Sequence, residues 1–198
     1  MSCRVLQLEA DCSIAITAAA DALSTGGVVV FPTDTVYGLL AGVEQRAAYQ
    51  RIFELKRRPP DKPLALLVGA DGPAAAAARR ALGGWPEQLA QFESGLITLV
   101  LQPELLTGAA LPSIVFEVQP GPVGIRCPRH GALQSLLGVA GGALWATSVN
   151  LTGQPPAGSA EQVSAWLASL AGPPQLAVLS AAGCSGRPSR IVQLNDLQ

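Results

Sequence analysis

Hydrophobic and polar positions along this chain alternate between two rhythms. Residues 11–23 read as a helix that stops at Ser24-Thr25-Gly26-Gly27, where glycine suits the C-terminal cap. Val28-Val29-Val30-Phe31 is then a continuous apolar run ended by Pro32, the signature of a buried strand. Residues 44–56 return to helical spacing, with Ala48, Ile52 and Leu55 near one face and Pro59-Pro60 as the stop. Further strands are predicted at 64–68, 96–101, 123–127, 144–147, 177–179 and 191–194, and further helices at 73–82 and 132–139. Ser159 opens one more helix, with Gln162 at capping-box spacing. Strands alternate with helices, and several strands are apolar throughout. That pattern favours an α/β sheet covered on both faces, with ligands taken up in polar loops beyond strand ends.

Composition narrows the class. At 198 residues and 49% hydrophobic, the chain suits one domain, 1–198, with a real core and no extensive disorder. Charged residues are 14%, against a typical share of about 25%, so small neutral residues must cover much of the surface. A net charge of −1 excludes a protein held on nucleic acid by bulk electrostatics. Cys3, Cys12, Cys127 and Cys184 form no C-x-x-C pair and the single His is His130, which argues against a structural zinc site. Arg4, Glu9 and Asp11 interrupt any signal peptide, and the uncharged stretch 131–160 holds no run that could span a membrane. The expectation is a soluble, cytoplasmic protein with reduced thiols and no membrane association.

Three polar clusters interrupt this apolar chain. Segment 46–62 carries Arg46, Arg51, Lys56, Arg57, Arg58 and Lys62 against Glu54 and Asp61. Cations at a helix C-terminus complement the dipole, which accounts for one or two of them. In an extended chain Lys56 and Arg58 would point the same way and reach one anion, with Arg57 turned to solvent. An anion site and a solvated basic face both stay open. Thr147-Ser148-Val149-Asn150-Leu151-Thr152-Gly153 follows an apolar strand; Ser148 and Asn150 can serve phosphate oxygens or a ribose, or simply make a turn. Pro32-Thr33-Asp34-Thr35-Val36-Tyr37-Gly38 sets two hydroxyls, a carboxylate and a phenol at a strand end. Arg126 is a lone charge in the strand Val123 to Cys127, so it needs an internal carboxylate or an anionic ligand. No acidic residue lies within eight positions of it. His130 reads as a surface or helix-start residue, not a general base. The usual glycine-rich nucleotide loops, the G-x-S-x-G elbow and metal-ligand clusters are all missing from the sequence.

Taken in order, these segments resemble the YrdC-like threonylcarbamoyl-AMP synthases. The family's P-T-[DE]-T-V-Y-G-L loop is matched by residues 32–39. Its K-x-R signature is matched by Lys56 and Arg58, with Pro59 and Pro63-Leu64 following; its S-x-N signature by Ser148 and Asn150, with Gly153. Its V-R-V-P strand corresponds to Ile125-Arg126-Cys127-Pro128, and its T-L-V-L strand to Thr98-Leu99-Val100-Leu101. Each motif is loose alone; their order and spacing together are specific.

The resemblance implies a twisted mixed sheet flanked by helices, in a short single-domain form. It implies that L-threonine, bicarbonate and ATP yield threonylcarbamoyl-AMP and pyrophosphate, for the threonylcarbamoyl modification of tRNA adenosine 37. Lys56, Arg58, Lys62, Ser148 and Asn150 would then bind ATP, with Lys56 and Arg58 neutralising charge and no residue acting as a nucleophile. Thr35, Arg126, Ala146 and Ser189 would bind threonine. Mg²⁺ would arrive with ATP rather than on a dedicated site. Partner proteins of the tRNA-modifying pathway are implied, with only weak direct tRNA contact. Departures stand at Lys62 (often Asn), Leu67 (often His), Gly95-Leu96-Ile97-Thr98 (usually G-P-[LF]-T) and Ser189-Arg190-Ile191-Val192-Gln193 (usually S-T-V-V-D). The chain ends at Gln198, before an arginine that longer members place near ATP. Two other readings stay open: an RNA-binding or assembly factor of the same fold without turnover, and a paralogue acting on a different carbamoyl or adenylation substrate. Three tryptophans in apolar contexts, Trp85, Trp145 and Trp166, speak against an extended RNA groove.

Overall fold

A computed structural model describes residues 3–197. Along the chain, β1 (Arg4–Gln7), α1 (Cys12–Ser24), β2 (Val28–Phe31), β3 (Gly38–Gly42) and α2 (Arg46–Lys56) come first. They are followed by β4 (Ala65–Val68), α3 (Pro73–Ala81), α4 (Pro86–Glu93), β5 (Ile97–Leu101), α5 (Ile114–Val118) and β6 (Val123–Arg126). The chain continues through α6 (Gly131–Val139), β7 (Ala143–Ser148), α7 (Ala160–Ala168), β8 (Leu176–Leu179) and β9 (Arg190–Gln193).

Local chemistry explains the helix ends. Asp11 caps α1 by accepting from Ser13 N and Ile14 N, and Gly26 follows the helix at φ +81°. Ser159 and Gln162 close both bonds of the expected capping box on α7. The imidazole of His130 accepts from Leu133 N and so caps α6.

All nine strands among the described residues join one mixed sheet in the order β1-β8-β2-β3-β7-β4-β6-β5-β9. β1, β8 and β2 run parallel, β3 and β7 reverse in turn, and β4 pairs antiparallel to β7 but parallel to β6. β5 is antiparallel to β6 and parallel to the edge strand β9. The twisted α/β sheet expected from the sequence is therefore present.

Side-chain alternation divides the core in two. Val30, Leu39, Leu66, Trp145 and Ile125 face the layer formed by α2, α3, α4, α5 and α7. Val29, Phe31, Leu40, Leu144 and Val178 face α1 and α6. This second layer reaches only as far as Leu67 on β4, and among the described residues no helix contributes a buried residue to that face of β6, β5 and β9. The expectation of two covered faces thus holds for most of one face, where β1 leaves Val5 48% exposed, and for half of the other. The uncovered half is where the polar residues collect.

Candidate active site

A cavity of about 280 Å³ opens on that uncovered half. Its floor is lined by Ala146, Ala65 and Leu67, and beside them a Cβ on Gly124 would stand 3.0 Å from Thr98 Cγ2. Small residues keep the floor low enough for a ligand to lie on the sheet. Thr35, Arg58, Thr98, Arg126, Ser148 and Ser189 supply polar side chains to the walls. Two of these are guanidiniums, and no carboxylate lines the wall. Larger concavities of about 340 Å³ beside Glu44 and about 380 Å³ beside Trp166 bring no arginine or lysine to theirs.

Arg126 shows how the fold positions a charge. It is 6% exposed on β6, with Nε donating to Gly95 O at 3.1 Å and Nη2 to Asp34 Oδ1 at 2.5 Å. Burial pulls its pKa down and the Asp34 carboxylate opposes that. The partner left open by the sequence is thus an internal carboxylate, brought from the loop after β2. Gly95 makes the approach feasible: it sits at φ +73°, and a Cβ there would lie 2.4 Å from Asp34 Oδ2. Asp34 is absent from the cavity wall, so it holds Arg126 from behind. Thr33 and Thr35 meet at 3.1 Å between their hydroxyls, and Thr33 Oγ1 donates to Val36 O. The Tyr37 phenol points elsewhere, accepting from Ser180 N and donating to Ser180 O inside the core. Across the cavity, Thr98 and Ser189 share a hydrogen bond of 2.8 Å.

The basic segment is rearranged relative to the sequence expectation. Lys56 and Arg58 are not two alternating positions of an extended chain, because Arg57 turns left-handed at φ 48° as the C-cap of α2. Arg57 does face solvent, as expected. Arg58 reaches the cavity wall and donates to Lys62 O and Pro63 O. Lys62 is exposed and outside the wall. Lys56 is buried, also outside the wall, and donates to Ser148 O, Asn150 O and Asn150 Oδ1. Burial, reinforced by Arg58, lowers its pKa to about 7. β7 ends at Ser148, and Asn150 turns off the wall while accepting from Ser148 Oγ at 2.7 Å. Arg46 pairs with Glu117 and Arg51 with Glu54. Of the six cations in 46–62, that leaves Arg57 and Lys62 facing water without an ion pair among the described residues.

Six of the nine residues singled out in the sequence therefore meet at one cavity: Thr35, Arg58, Arg126, Ala146, Ser148 and Ser189. Lys56, Lys62 and Asn150 do not reach it. Thr98 on the wall, and Asp34 and Gly95 behind it, were not assigned to the site from sequence. Asp34 stood out as a polar residue beside Thr35; nothing local tied it to Arg126.

The Sua5/YciO/YrdC family model, described as telomere recombination, matches residues 21–198. The chain belongs to this family. A threonylcarbamoyl-AMP synthase of Xanthomonas axonopodis pv. citri is 34% identical over 148 residues, 70% of this chain and 72% of that protein. One from Bacillus subtilis is 34% identical over 158 residues, 75% of this chain but 42% of that protein. In fold, the family member Sua5 of P. abyssi, solved with L-threonine, superposes at a TM-score of 0.75 and 23% identity over 98% of this chain and 55% of its own. E. coli YciO superposes at 0.73 and 20% identity, over 98% of this chain and 90% of its own. This Sua5/YciO/YrdC chain thus spans about half the length of some relatives and most of others. Among the described residues no helix is long and apolar enough to cross a membrane, no group of three or more His, Cys, Asp or Glu can hold a metal, and the four cysteines are free.

Proposed function

We propose that this chain is a threonylcarbamoyl-AMP synthase, combining L-threonine, bicarbonate and ATP. The observation that carries the reading is a cavity walled by two guanidiniums and neutral hydroxyls, with no carboxylate. Such a wall suits reactants that are anionic at both ends. N-carboxylation of threonine gives a carbamate, one oxygen of which attacks the α-phosphorus of ATP. The bond from that phosphorus to the bridging oxygen breaks, and pyrophosphate leaves. The reaction needs alignment and charge neutralisation more than a protein nucleophile. Arg126 pairs with the threonine carboxylate using the donors that Asp34 and Gly95 leave free, and Thr35, Ser189 and the Ala146 backbone complete that pocket. Arg58 and Ser148 meet the phosphates. β7 and β6 are separated by β4, and Leu67 pairs with both Arg126 and Leu144, so Ser148 lies four residues along the sheet from the level of Arg126 and the two ends of the cavity serve different parts of the reactants. At about 280 Å³ the cavity is smaller than those that usually enclose a drug-sized ligand, so part of the nucleotide lies outside it. Mg²⁺ comes with ATP as part of that substrate. The product serves partner proteins that modify tRNA adenosine 37.

Mass spectrometry of a mixture of protein, ATP, Mg²⁺, bicarbonate and L-threonine tests this. The adenylate and pyrophosphate should form only when all components are present. ATP turnover indifferent to threonine, or no turnover, would overturn it.

A further inference from the structure

Lys56 is the most deeply buried charge in the described structure, at 1% exposure. Its ammonium donates to Ser148 O, to Asn150 O at 3.0 Å and to Asn150 Oδ1 at 2.5 Å. Its own carbonyl accepts from Thr152 N at 3.1 Å and Thr152 Oγ1 at 3.0 Å. One residue at the end of α2 thus grips positions 148, 150 and 152. Ser148 Oγ donates to the same Asn150 Oδ1 that Lys56 holds, and Ser148 is on the cavity wall while Lys56 is not.

We propose that Lys56 is a positioning residue: its ammonium latches the 148–152 loop and sets where the Ser148 hydroxyl stands, without touching nucleotide. Three N–H donors match three oxygens. A neutral amine has two donors and a lone pair, so losing the proton leaves one buried oxygen without its partner. All three acceptors are neutral, and the charged group acting on the ammonium is Arg58, of the same sign. The latch is therefore poised to loosen as pH rises through neutrality. The inference rests on the synthase reading only for what Ser148 serves.

The chain has two lysines, so NMR of lysine side chains gives two sets of signals, with the exposed Lys62 as internal reference. In the wild-type protein the Lys56 signal should titrate near neutral pH, and the amides of Ser148, Asn150 and Thr152 should move with the same midpoint. In Lys56→Met those amides should hold one position at every pH. Loop amides indifferent to the Lys56 titration would overturn the latch, and this arm needs only wild-type protein. In calorimetry with a non-hydrolysable ATP analogue, Lys56→Met should bind about fivefold more weakly than wild type at pH 6 and nearly equally at pH 8.5. A loss as large as that of Arg58→Ala at both pH values means direct phosphate contact and would also overturn it. If wild type binds no nucleotide, the synthase reading fails while the loop titration still decides the latch.

Discussion

A guanidinium on an interior strand needs an anion, and for Arg126 that anion is Asp34, 92 positions away in the chain. Removing one partner of a buried pair strands the other, at a cost of roughly 3–5 kcal/mol. Arg126→Ala should therefore lower the ligand-free Tm by on the order of 10 °C, measured by calorimetric scanning. Asp34→Asn keeps an acceptor but removes the charge, so it should weaken threonine binding roughly tenfold and leave nucleotide affinity unchanged. Equal losses for both ligands would mean that Asp34 supports the whole cavity rather than Arg126. On the phosphate side, Arg58→Ala should cost roughly tenfold to a hundredfold in affinity for the ATP analogue, and Arg57→Ala almost nothing.

Elements with an uninterrupted apolar run or a clean cap were legible in the sequence: β2, β4, β5, β7, and α1 and α7 with their caps. β3 was not. Its Leu39-Leu40-Ala41 run is short and bracketed by Gly38 and Gly42, and glycine argues locally against a strand, yet the strand sits mid-sheet between β2 and β7. β1, α4 and α5 escaped because none exceeds eight residues and each depends on tertiary contacts rather than its own periodicity. The site was half legible for a related reason. Residues that share a motif could be grouped, but which of them turn inward depends on backbone turns such as the left-handed Arg57, where a non-glycine residue gives no local sign of its conformation. The junction of α4 and β5 offers the sharpest test at this scale. Gly95→Ala would drive a methyl into Asp34 at a positive φ. It should lose at least about 1–2 kcal/mol of stability in denaturant titration and lose threonine binding in step with Asp34→Asn. Normal threonine affinity in this variant would separate Gly95 from the Arg126 arrangement.

For the whole molecule, the buried ammonium of Lys56 ties stability to pH. Its folded pKa, about 7, lies below the ordinary 10.5, so between these values the unfolded chain binds more protons than the native one. Stability therefore rises with pH across that window. Tm should climb from pH 7 toward pH 8 in the wild type, below the range where the Cys3, Cys127 and Cys184 thiols, which burial pushes up, pull stability the other way, and Lys56→Met should flatten that climb; an unchanged slope would mean another group titrates there. The sheet carries a separate consequence. One of its two edge strands, β9, pairs only with β5 among the described strands and leaves three of its four residues exposed. Pro188, Ser189 and Ile191, at or beside that strand, form a wall of the cavity. A wall of the cavity is thus built on an edge strand, whose backbone amides open to solvent more readily than those of the interior strands. Occupancy of the cavity and hydrogen-exchange protection of β9 become a single equilibrium: amides at 190–193 should exchange far ahead of those in β7 in the free protein. A bound ligand should slow them in proportion to its concentration over its Kd, while β7 barely responds.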